Sequence, residues 1–316
     1  MTARIFIDGA AGTTGLEIRE RLAARDELSL IQLSDAERKD VRARTAALNE
    51  ADAVVLCLPD DAAREAVSLI ENPAVKVVDA STAHRVAQGW VYGFAELESG
   101  QRARIAAAKR VTNPGCYPTG FLALVRPLVR AGILPADFPL TVNAVSGYSG
   151  GGKAMIEEFE NKASPAYTES VVRSYALTLS HKHVPEMQMH AGLAHPPVFA
   201  PSVGRFYRGM MVEVPLQLWA LPKQPTVAAI HEAIAAAYHD AALIDVARLT
   251  DGITLKTLDA ETLRDTNRMK LYVFGNDMHG QARLVAVLDN LGKGASGAAV
   301  QNLNLMLGLP ETAGLV

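Results

Sequence analysis

A glycine-rich turn between two short apolar segments, at the very start of the chain, restricts the fold more than any other feature. The stretch RIFIDGAAGTTGLEIRERLAARDELSLIQLS predicts a strand over residues 5–7, then a helix, then a second strand over LSLIQL. Leu16, Ile18 and Leu22 recur at helical spacing between the two strands. The pattern therefore indicates a βαβ unit, the building block of a parallel sheet covered by helices.

The turn itself carries Gly9, Gly12 and Gly15 in the spacing GxxGxxG. Glycines at a turn from strand to helix let the backbone approach a pyrophosphate held at the helix N-terminus. The same glycines can also serve close packing alone, because they open many tight turns of this kind. The βαβ context and the N-terminal position favour binding of a dinucleotide.

The residues after the second strand bear on which dinucleotide is bound. Many NAD sites have an acidic residue at this point, whereas this chain has Ser34, followed by Arg38 and Lys39. A hydroxyl and two cations suit the 2′-phosphate of NADP. Asp35 keeps NAD possible, and Ser34 could instead cap a helix with both cations in solvent. The charge pattern predicts NADP(H).

Two further apolar segments, AVVLCLP and VKVVDAS, read as buried strands, with a helix-like stretch between them. Their alternation with helices predicts an α/β fold with an N-terminal Rossmann-like, doubly wound parallel sheet. Cys57 lies within the first of these segments. We interpret Cys57 as a small core residue and not as a reactive thiol.

The chain's other cysteine, Cys116, has a different setting. Pro114 and Gly115 precede it in TNPGCYPTG, and the apolar residues that follow recur at helical spacing as far as Gly132. Cys116 should therefore lie at or just before a helix N-terminus, where unpaired N–H groups and the helix dipole favour a thiolate. The same N–H groups can stabilise an oxyanion on a carbonyl attacked by that thiolate. A small residue packed at a helix start is the alternative.

The segment ALTLSHKHVPEM supplies candidates for a base. If it forms a strand, His181 and His183 project from the same face, and Glu186 follows after a proline. An HxH pair also occurs in metal sites, and His190 and His195 lie nearby. No cluster of cysteines or carboxylates with ligand spacing accompanies the pair, so we expect no metal. A structural histidine pair is the remaining alternative.

Composition limits the cellular compartment in which the protein can work and the kinds of partner that it can bind. Only two of 316 residues are cysteines, which excludes a disulfide framework, and the net charge of -3 is spread without long runs of one sign. The first residues show no signal peptide, and no apolar run is long enough for a membrane span. We expect a cytoplasmic protein that binds neither nucleic acid nor membranes.

Seven segments along the chain together resemble one family of enzymes. They are, in order, GAAGTTG, VVDASTAHR, YGFAEL, NPGCYPT, VSGYSGGGK, HKHVPE and DNLGKGASGAAVQNLNLM. The set is similar to the compact form of the N-acetyl-γ-glutamyl-phosphate reductases, enzymes of arginine biosynthesis related to aspartate-semialdehyde dehydrogenase. The resemblance covers nearly the full chain.

This resemblance implies NADPH-dependent reductive removal of phosphate from N-acetyl-γ-glutamyl phosphate, a small-molecule acyl phosphate, to give N-acetylglutamate γ-semialdehyde. Cys116 would form a thioester, and His181 or His183 would act as the acid when the hemithioacetal collapses. Arg85 would hold the phosphate, with Tyr175 and Glu186 at the substrate pocket. Together with the glycine turn and the charge pattern after the second strand, the resemblance gives the candidate cofactor residues Gly9, Gly12, Thr13, Thr14, Gly15, Ser34, Arg38, Asn290 and Gly294.

The resemblance also implies how the chain is divided. Residues 1–113 plus 291–316 would form the NADP-binding domain, and residues 114–290 an inserted α+β domain for catalysis and dimerisation, in a homodimer or homotetramer. Two alternatives to the predicted function stay open. One is a related aspartate-semialdehyde or aminoadipate-type semialdehyde dehydrogenase, and the other is a cofactor-binding regulator with an idle thiol.

Overall fold

The structure, a computed structural model, describes residues 2–315. Its strands are β1 (Ala3–Asp8), β2 (Leu28–Ile31), β3 (Ala53–Leu56), β4 (Lys76–Asp79), β5 (Val91–Tyr92), β6 (Arg110–Thr112), β7 (Thr141–Gly147), β8 (Val172–Ser174), β9 (Val198–Gly204), β10 (Met210–Gln217), β11 (Ile244–Val246), β12 (Met269–Asn276) and β13 (Gln281–Leu288). Its helices are α1 (Thr13–Ala23), α2 (Val41–Glu50), α3 (Asp60–Ser68), α4 (Gln101–Ala107), α5 (Cys116–Arg130), α6 (Gly152–Glu160), α7 (Val184–Ala191), α8 (Val227–Tyr238), α9 (Leu249–Thr254) and α10 (Gly297–Leu307).

The chain forms two compact units, and each is built from separate segments. The first unit comprises residues 1–95, 99–115 and 295–316, and the second comprises residues 96–98 and 116–294.

The first unit contains a six-stranded sheet with the order β2-β1-β3-β4-β6-β5, in which all pairs are parallel. One face is covered by α1, α4 and α10, whose Ile18, Ile105 and Leu303 enter a single apolar cluster. The other face is covered by α2 and α3, which contribute Leu48 and Ala63 to a second cluster. The doubly wound parallel sheet predicted from the sequence is confirmed.

The second unit contains a seven-stranded mixed sheet with the order β11-β12-β13-β10-β7-β9-β8. Most neighbouring strands are antiparallel, while β11 with β12 and β7 with β9 run parallel. Helix α5 is buried along most of its length and packs against β10 and β13. Gly120 allows this approach, because a Cβ built there would lie 2.9 Å from a methyl carbon of Val212.

The predicted helix after Cys116 is confirmed, since α5 begins at that residue. The strand expected around His181 and His183 is wrong. Both residues lie just before α7, and Pro185 occupies the first turn of that helix. Proline is favoured there because the first helical N–H groups have no partner within the helix. The segment therefore presents its two imidazoles from a helix start and not from one face of a strand.

Candidate active site

Cys116 lies at the N-terminus of the buried helix α5 and is itself partly exposed. The sequence places it there because Pro114 and Gly115 interrupt the strand that ends at Thr112, and the apolar helix follows at once. Gly294 packs closely against it, since a Cβ built on Gly294 would lie 2.8 Å from the Cβ of Cys116. The Cys116 thiol therefore has both a helix N-terminus and the backbone of a glycine close to it.

Aromatic and imidazole rings cluster in the same unit. The ring of Tyr117 lies 5.9 Å from that of His183 and 5.1 Å from that of Phe199, measured between centroids. His181 lies 4.7 Å from His183 and 5.8 Å from Tyr175. The structure thus brings together Tyr175, His181 and His183 with Tyr117, the residue that follows Cys116 in the chain.

The two phenols of this cluster are linked by hydrogen bonds. The Tyr175 hydroxyl donates to the Tyr117 oxygen at 3.1 Å, and the Tyr117 hydroxyl donates to the Ser202 carbonyl at 3.3 Å. Burial raises the pKa of Tyr175 to about 12 and that of Tyr117 well above its ordinary value. A negative charge on Cys116 raises both pKa values further, which indicates that its sulfur lies close to the two rings. Both hydroxyls are therefore neutral donors at physiological pH.

The histidines are held by the backbone at the start of α7. The backbone N–H of His183 donates to Nδ1 of His181 at 3.1 Å. Because Nδ1 accepts this bond, the neutral imidazole of His181 carries its proton on Nε2. His183 is only 6 % exposed, and Glu186, in the first turn of α7, is 1 % exposed. The arrangement leaves His181 Nε2–H as a defined donor.

The segment after β13 is fixed by two neighbouring side chains. Asn290 is buried, its Nδ2 donates to Ser149 Oγ at 2.9 Å, and its Oδ1 accepts from the Gly209 N–H at 2.8 Å. Asp289 accepts hydrogen bonds from the N–H groups of Leu291 and Gly292. Asn290 and Gly294, both assigned to the cofactor by resemblance, therefore also have contacts within the second unit.

In the first unit, the three glycines of the N-terminal turn differ in what surrounds them. Gly9 has a φ of +90°, and a Cβ there would lie 2.3 Å from the Cys57 carbonyl oxygen. A Cβ on Gly15 would lie 2.5 Å from the Gly9 carbonyl oxygen. Gly12 is different, because its Cβ would meet only that same oxygen, at 3.5 Å. Packing explains Gly9 and Gly15, whereas Gly12 is open at the N-terminus of α1, beside Thr13 and Thr14.

A cavity of about 160 Å³ lies at the carboxyl ends of β1 and β2. Gly9, Ala10, Leu33 and two arginines, Arg19 and Arg38, contribute to its lining. The sequence interpretation overlooked Arg19, although its place on the first turns of the helix after the glycines was a usable signal. Within residues 2–315, we find no ion pair or hydrogen bond from the Arg19 guanidinium, which is solvent-exposed.

The polar residues after β2 that suggested an NADP site differ in their contacts. These residues are Ser34, Arg38 and Lys39. Ser34 Oγ accepts from the Glu37 N–H, and a Glu37 carboxylate oxygen accepts from the Ser34 N–H, as in a capping box. Arg38 forms an ion pair with Asp35. Among the described residues lining the cavity, neither Ser34 nor Lys39 occurs. The capping alternative for Ser34 thus has direct structural support, and Arg38 is the residue of the three that reaches the cavity.

Arg85 belongs to the first unit, whereas Cys116 belongs to the second. Its Nε donates to the Asn113 carbonyl at 3.0 Å, and Nη2 donates to the Ala80 carbonyl at 3.3 Å. The preceding His84 bonds through Nδ1 to Asp79, a fully buried carboxylate, at 2.6 Å. These contacts hold Arg85 in the loop after β4, at the carboxyl edge of the parallel sheet, where ligands bind in open α/β folds.

Comparison with known proteins places the chain in a family. Residues 116–290 match the family model "Semialdehyde dehydrogenase, dimerisation domain", and residues 4–106 match "Semialdehyde dehydrogenase, NAD binding domain". The chain is 55% identical to N-acetyl-gamma-glutamyl-phosphate reductase 2 of Nostoc sp., over 99% of both chains. It is also 55% identical to N-acetyl-gamma-glutamyl-phosphate reductase of Brucella suis, over 98% of this chain and 100% of that one. The chain belongs to the N-acetyl-γ-glutamyl-phosphate reductases.

Solved structures share the fold of this reductase family member. Aspartate semialdehyde dehydrogenase II of Vibrio cholerae, complexed with ASA, matches with a TM-score of 0.72 and 16% identity, over 98% of this chain and 99% of that one. Aspartate semialdehyde dehydrogenase of Francisella tularensis matches with a TM-score of 0.70 and 13% identity, over 97% of this chain and 100% of that one. Both likenesses show the fold alone.

A nicotinamide dinucleotide fits the residues of this reductase. The open backbone at Gly12 lies at the N-terminus of α1, where a pyrophosphate binds in such turns. The cavity that Arg19 and Arg38 help to line lies next to this turn, with cations for a further phosphate. Membership of the family makes the protein an NAD(P)-dependent oxidoreductase, as predicted.

Three other observations concern the role of Cys57, the presence of a metal site and the presence of a membrane-spanning helix. Burial raises the pKa of the Cys57 thiol to about 12, which supports a core role for that residue. Within residues 2–315, no three His, Cys, Asp or Glu side chains are grouped so that they could hold a metal ion. None of the helices described here is long and apolar enough to cross a membrane.

A buried ion pair in the second unit was not foreseen. Lys293 Nζ lies 2.8 Å from both carboxylate oxygens of Glu96, and each side chain is only 1 % exposed. The two residues occur in segments that already attracted notice, YGFAEL and DNLGKGASG, but they are 197 positions apart. Their pairing has no signal in a single sequence.

Proposed function

We propose that this protein catalyses the NADPH-dependent reductive dephosphorylation of N-acetyl-γ-glutamyl phosphate to N-acetylglutamate γ-semialdehyde and inorganic phosphate. The observation that carries the proposal is the position of Cys116 at the start of a buried helix. The same unit contains two tyrosines whose pKa is raised by the charge of Cys116, and two neighbouring histidines. The names of relatives that match over nearly their full length support this substrate.

The chemistry of the side chains supports a covalent route. The Cys116 thiolate attacks the acyl carbon, a C–S bond forms, and the acyl C–O bond to phosphate breaks. The bound cofactor supplies the hydride that reduces the thioester. The resulting tetrahedral oxyanion accepts a proton to give the hemithioacetal, and collapse of the hemithioacetal breaks the C–S bond, returns the thiolate to Cys116 and gives the hydroxyl proton back to the same acid-base group. We assign the proton transfer at this stage to His181, whose Nε2–H is fixed by the bond at Nδ1, and substrate positioning to His183.

The remaining substrate contacts are proposals of the same kind. Arg85 would bind the phosphate through its guanidinium, which suits tetrahedral oxyanions. Tyr175 would exchange its hydrogen bond to Tyr117 for one donated to the substrate, and Glu186 would shape the pocket for the acetylamino acid. The location of Tyr175 in the ring cluster and the burial of Glu186 support these roles.

We propose NADP(H) as the cofactor. Gly9, Gly12, Thr13, Thr14 and Gly15 would surround the pyrophosphate, with Asn290 and Gly294 near the nicotinamide. Arg38 and Arg19 would bind the 2′-phosphate, because both line the cavity beside the glycine turn. Ser34 would contribute less than the sequence suggested, since its hydroxyl already caps the turn at Glu37.

The proposal extends to the domain organisation, the oligomeric state and the cellular location of the protein. Residues 1–113 plus 291–316 would serve as the cofactor domain and residues 114–290 as the catalytic and dimerisation domain. A homodimer or homotetramer agrees with the family model for residues 116–290, and sedimentation velocity tests it. A cytoplasmic location would keep Cys116 reduced, as the thioester route requires.

One assay separates the proposed function from its rivals. Phosphate-dependent reduction of NADP by N-acetylglutamate semialdehyde should be observed, with aspartate semialdehyde as a much poorer substrate. Preference for aspartate semialdehyde would indicate the related dehydrogenase, and absence of turnover with both aldehydes would indicate a cofactor-binding regulator.

A further inference from the structure

The segment Glu96-Leu97-Glu98 is a short piece of chain that belongs to the second unit, although the residues on both sides belong to the first. Leu97 is buried, Glu96 pairs with Lys293, and Glu98 pairs with two arginines of α5. Two of these three residues, Glu96 and Glu98, thus form ion pairs within a unit to which their neighbours in sequence do not belong.

Glu96 reaches the turn that faces the nucleophile. Its carboxylate accepts two bonds of 2.8 Å from Lys293 Nζ, and Lys293 directly precedes Gly294, whose backbone packs against Cys116. The same turn is closed by a backbone hydrogen bond, because the Gly294 N–H donates to the carbonyl of Asp289, the residue after β13, at 3.0 Å. A displacement of Lys293 would therefore be transmitted to the wall beside the Cys116 side chain.

Glu98 reaches the helix that carries the nucleophile. Its carboxylate accepts from Arg126 at 2.8 Å and from Arg130 at 3.3 Å, both on α5. Arg126 also donates to the Ala191 carbonyl at 3.3 Å, at the end of α7. Since His181 and His183 directly precede α7, the segment 96–98 is connected to the helix that begins at Cys116 and, through Arg126, to the helix that follows the two histidines.

We propose that the buried Glu96–Lys293 pair positions Cys116 for acyl transfer by anchoring residues 291–294 against it. An ion pair with almost no exposure contributes little net stability compared with apolar residues of the same shape, so a role in fixing geometry is a physical reason for its presence. This inference rests on the proposed function for its catalytic consequence, but the anchoring itself does not.

The test uses the double variant Glu96→Gln/Lys293→Met, which leaves no buried charge unpaired. The matched control is Arg102→Met/Glu311→Gln, which removes a partly exposed ion pair of the first unit. Three quantities are compared with wild type: amide hydrogen exchange of residues 291–294 and of the first turn of α5, kcat and KM, and the rate of Cys116 alkylation by iodoacetamide.

We expect faster amide exchange in both segments and a kcat lower by about 10- to 100-fold, because displacement of a reacting group by about 1 Å can cost that much. KM for NADPH should rise by a smaller factor than kcat falls, because Gly294 is only one of the residues proposed to contact the cofactor. Alkylation should change less than kcat, since a small reagent does not depend on the orientation of the thiol. The control should match wild type in all three quantities.

Several outcomes would overturn the inference. Unchanged exchange would show that the pair anchors nothing, whether or not the enzyme is active. Faster exchange with wild-type kcat would show that the anchored turn does not position Cys116. Alkylation and kcat falling in parallel would mean that the pair acts on thiol ionisation instead.

A second variant covers the case in which the double variant does not fold. Glu96→Asp keeps both charges and withdraws the carboxylate by one methylene, and we expect the same direction of change with a kcat loss of roughly 3- to 10-fold. Wild-type exchange and kcat in Glu96→Asp would overturn the inference. If wild-type protein itself lacked reductase activity, the proposed function would fail, and exchange alone would decide whether the pair anchors the turn.

Discussion

The two cysteines differ in the surroundings of their sulfur atoms, so replacement by serine should have different effects at the two positions. Cys116→Ser should retain the fold and NADPH binding but lose turnover by at least about 10³-fold, because a serine hydroxyl does not ionise where a thiol can. Cys57→Ser should remain active. Iodoacetamide should label Cys116 first, since the Cys57 pKa of about 12 leaves that thiol protonated. Substantial turnover by Cys116→Ser would contradict the thioester route.

The histidine pair separates proton transfer from positioning. Alanine at His181 should lower kcat by roughly 10²- to 10⁴-fold with little change in KM, because it removes the defined Nε2–H donor. Alanine at His183 should act partly through KM, since that buried ring packs against both His181 and Tyr117. Steady-state kinetics with both variants test this, and a reversed pattern would exchange the two roles.

Cofactor preference should depend on Arg19 as well as Arg38. Arg19→Ala should lower the ratio of kcat/KM for NADPH over NADH by about 10- to 100-fold, as loss of a charge-assisted bond to the 2′-phosphate would. Arg38→Ala should have an equal or smaller effect, because Asp35 already neutralises that guanidinium. Calorimetric binding of 2′,5′-ADP gives a readout without turnover.

The matched control for both arginines is Arg42→Ala, an exposed arginine outside the cavity lining. An unchanged NADPH-to-NADH ratio in Arg19→Ala would remove that residue from the phosphate site. Ser34→Asp provides a further comparison, since it adds a carboxylate near the phosphate and should favour NADH.

At the scale of single residues, the sequence was informative where chemistry depends on local context. Pro114 and Gly115 placed Cys116 at a helix start without any tertiary information. The tertiary contacts of a side chain could not be predicted from its local sequence. Arg38 is neutralised by a local neighbour, Arg19 meets Arg38 only through the fold, and Glu96 and Lys293 pair across most of the chain.

At the scale of elements, the glycine turn before α1 separates packing from ligand binding. Gly12→Ala should fold with a loss of stability below about 1 kcal/mol, because its φ of −75° suits alanine and the site is open. It should nevertheless weaken NADPH binding by about ten-fold or more, since a methyl group would stand where the pyrophosphate approaches. Thermal unfolding without nucleotide, together with a binding titration, measures both effects.

Gly15→Ala is the informative contrast to this variant. A methyl group there would meet the Gly9 carbonyl oxygen at 2.5 Å, so both stability and binding should fall. Wild-type NADPH affinity in Gly12→Ala would show that the spacing GxxGxxG serves packing alone.

The most buried elements were predictable because burial requires continuous apolar segments, and the parallel sheet is covered on both faces while α5 is buried along most of its length. The strands of the parallel sheet and helix α5 follow directly from their apolar runs. The strand predicted around His181 and His183 is wrong because alternation of polar residues over a few positions resembles a strand without requiring one. Pro185 and Glu186 in the first turn of α7 are the features that favour a helix start there, and they outweigh the alternation.

At the scale of the whole molecule, the core of the first unit depends on the C-terminal helix. Leu303→Ala should lower the free energy of unfolding by about 2 to 5 kcal/mol, because the fully buried side chain of α10 packs with residues of α1, α4 and the sheet. Val41→Ala, at an exposed position, should change stability by less than about 0.5 kcal/mol. Urea unfolding with both variants tests this, and equal midpoints would show that α10 is not part of that core.

The discontinuous first unit also has a consequence for how the protein is made. Translation proceeds from the N-terminus, so the ribosome completes the entire second unit before it synthesises the residues of α10. Until then, one face of the parallel sheet lacks Val300, Leu303 and Met306. The nucleotide-binding unit, although its sequence emerges first, can therefore close its core only after the second unit has been synthesised, and in the meantime it exposes apolar surface on which a chaperone could act.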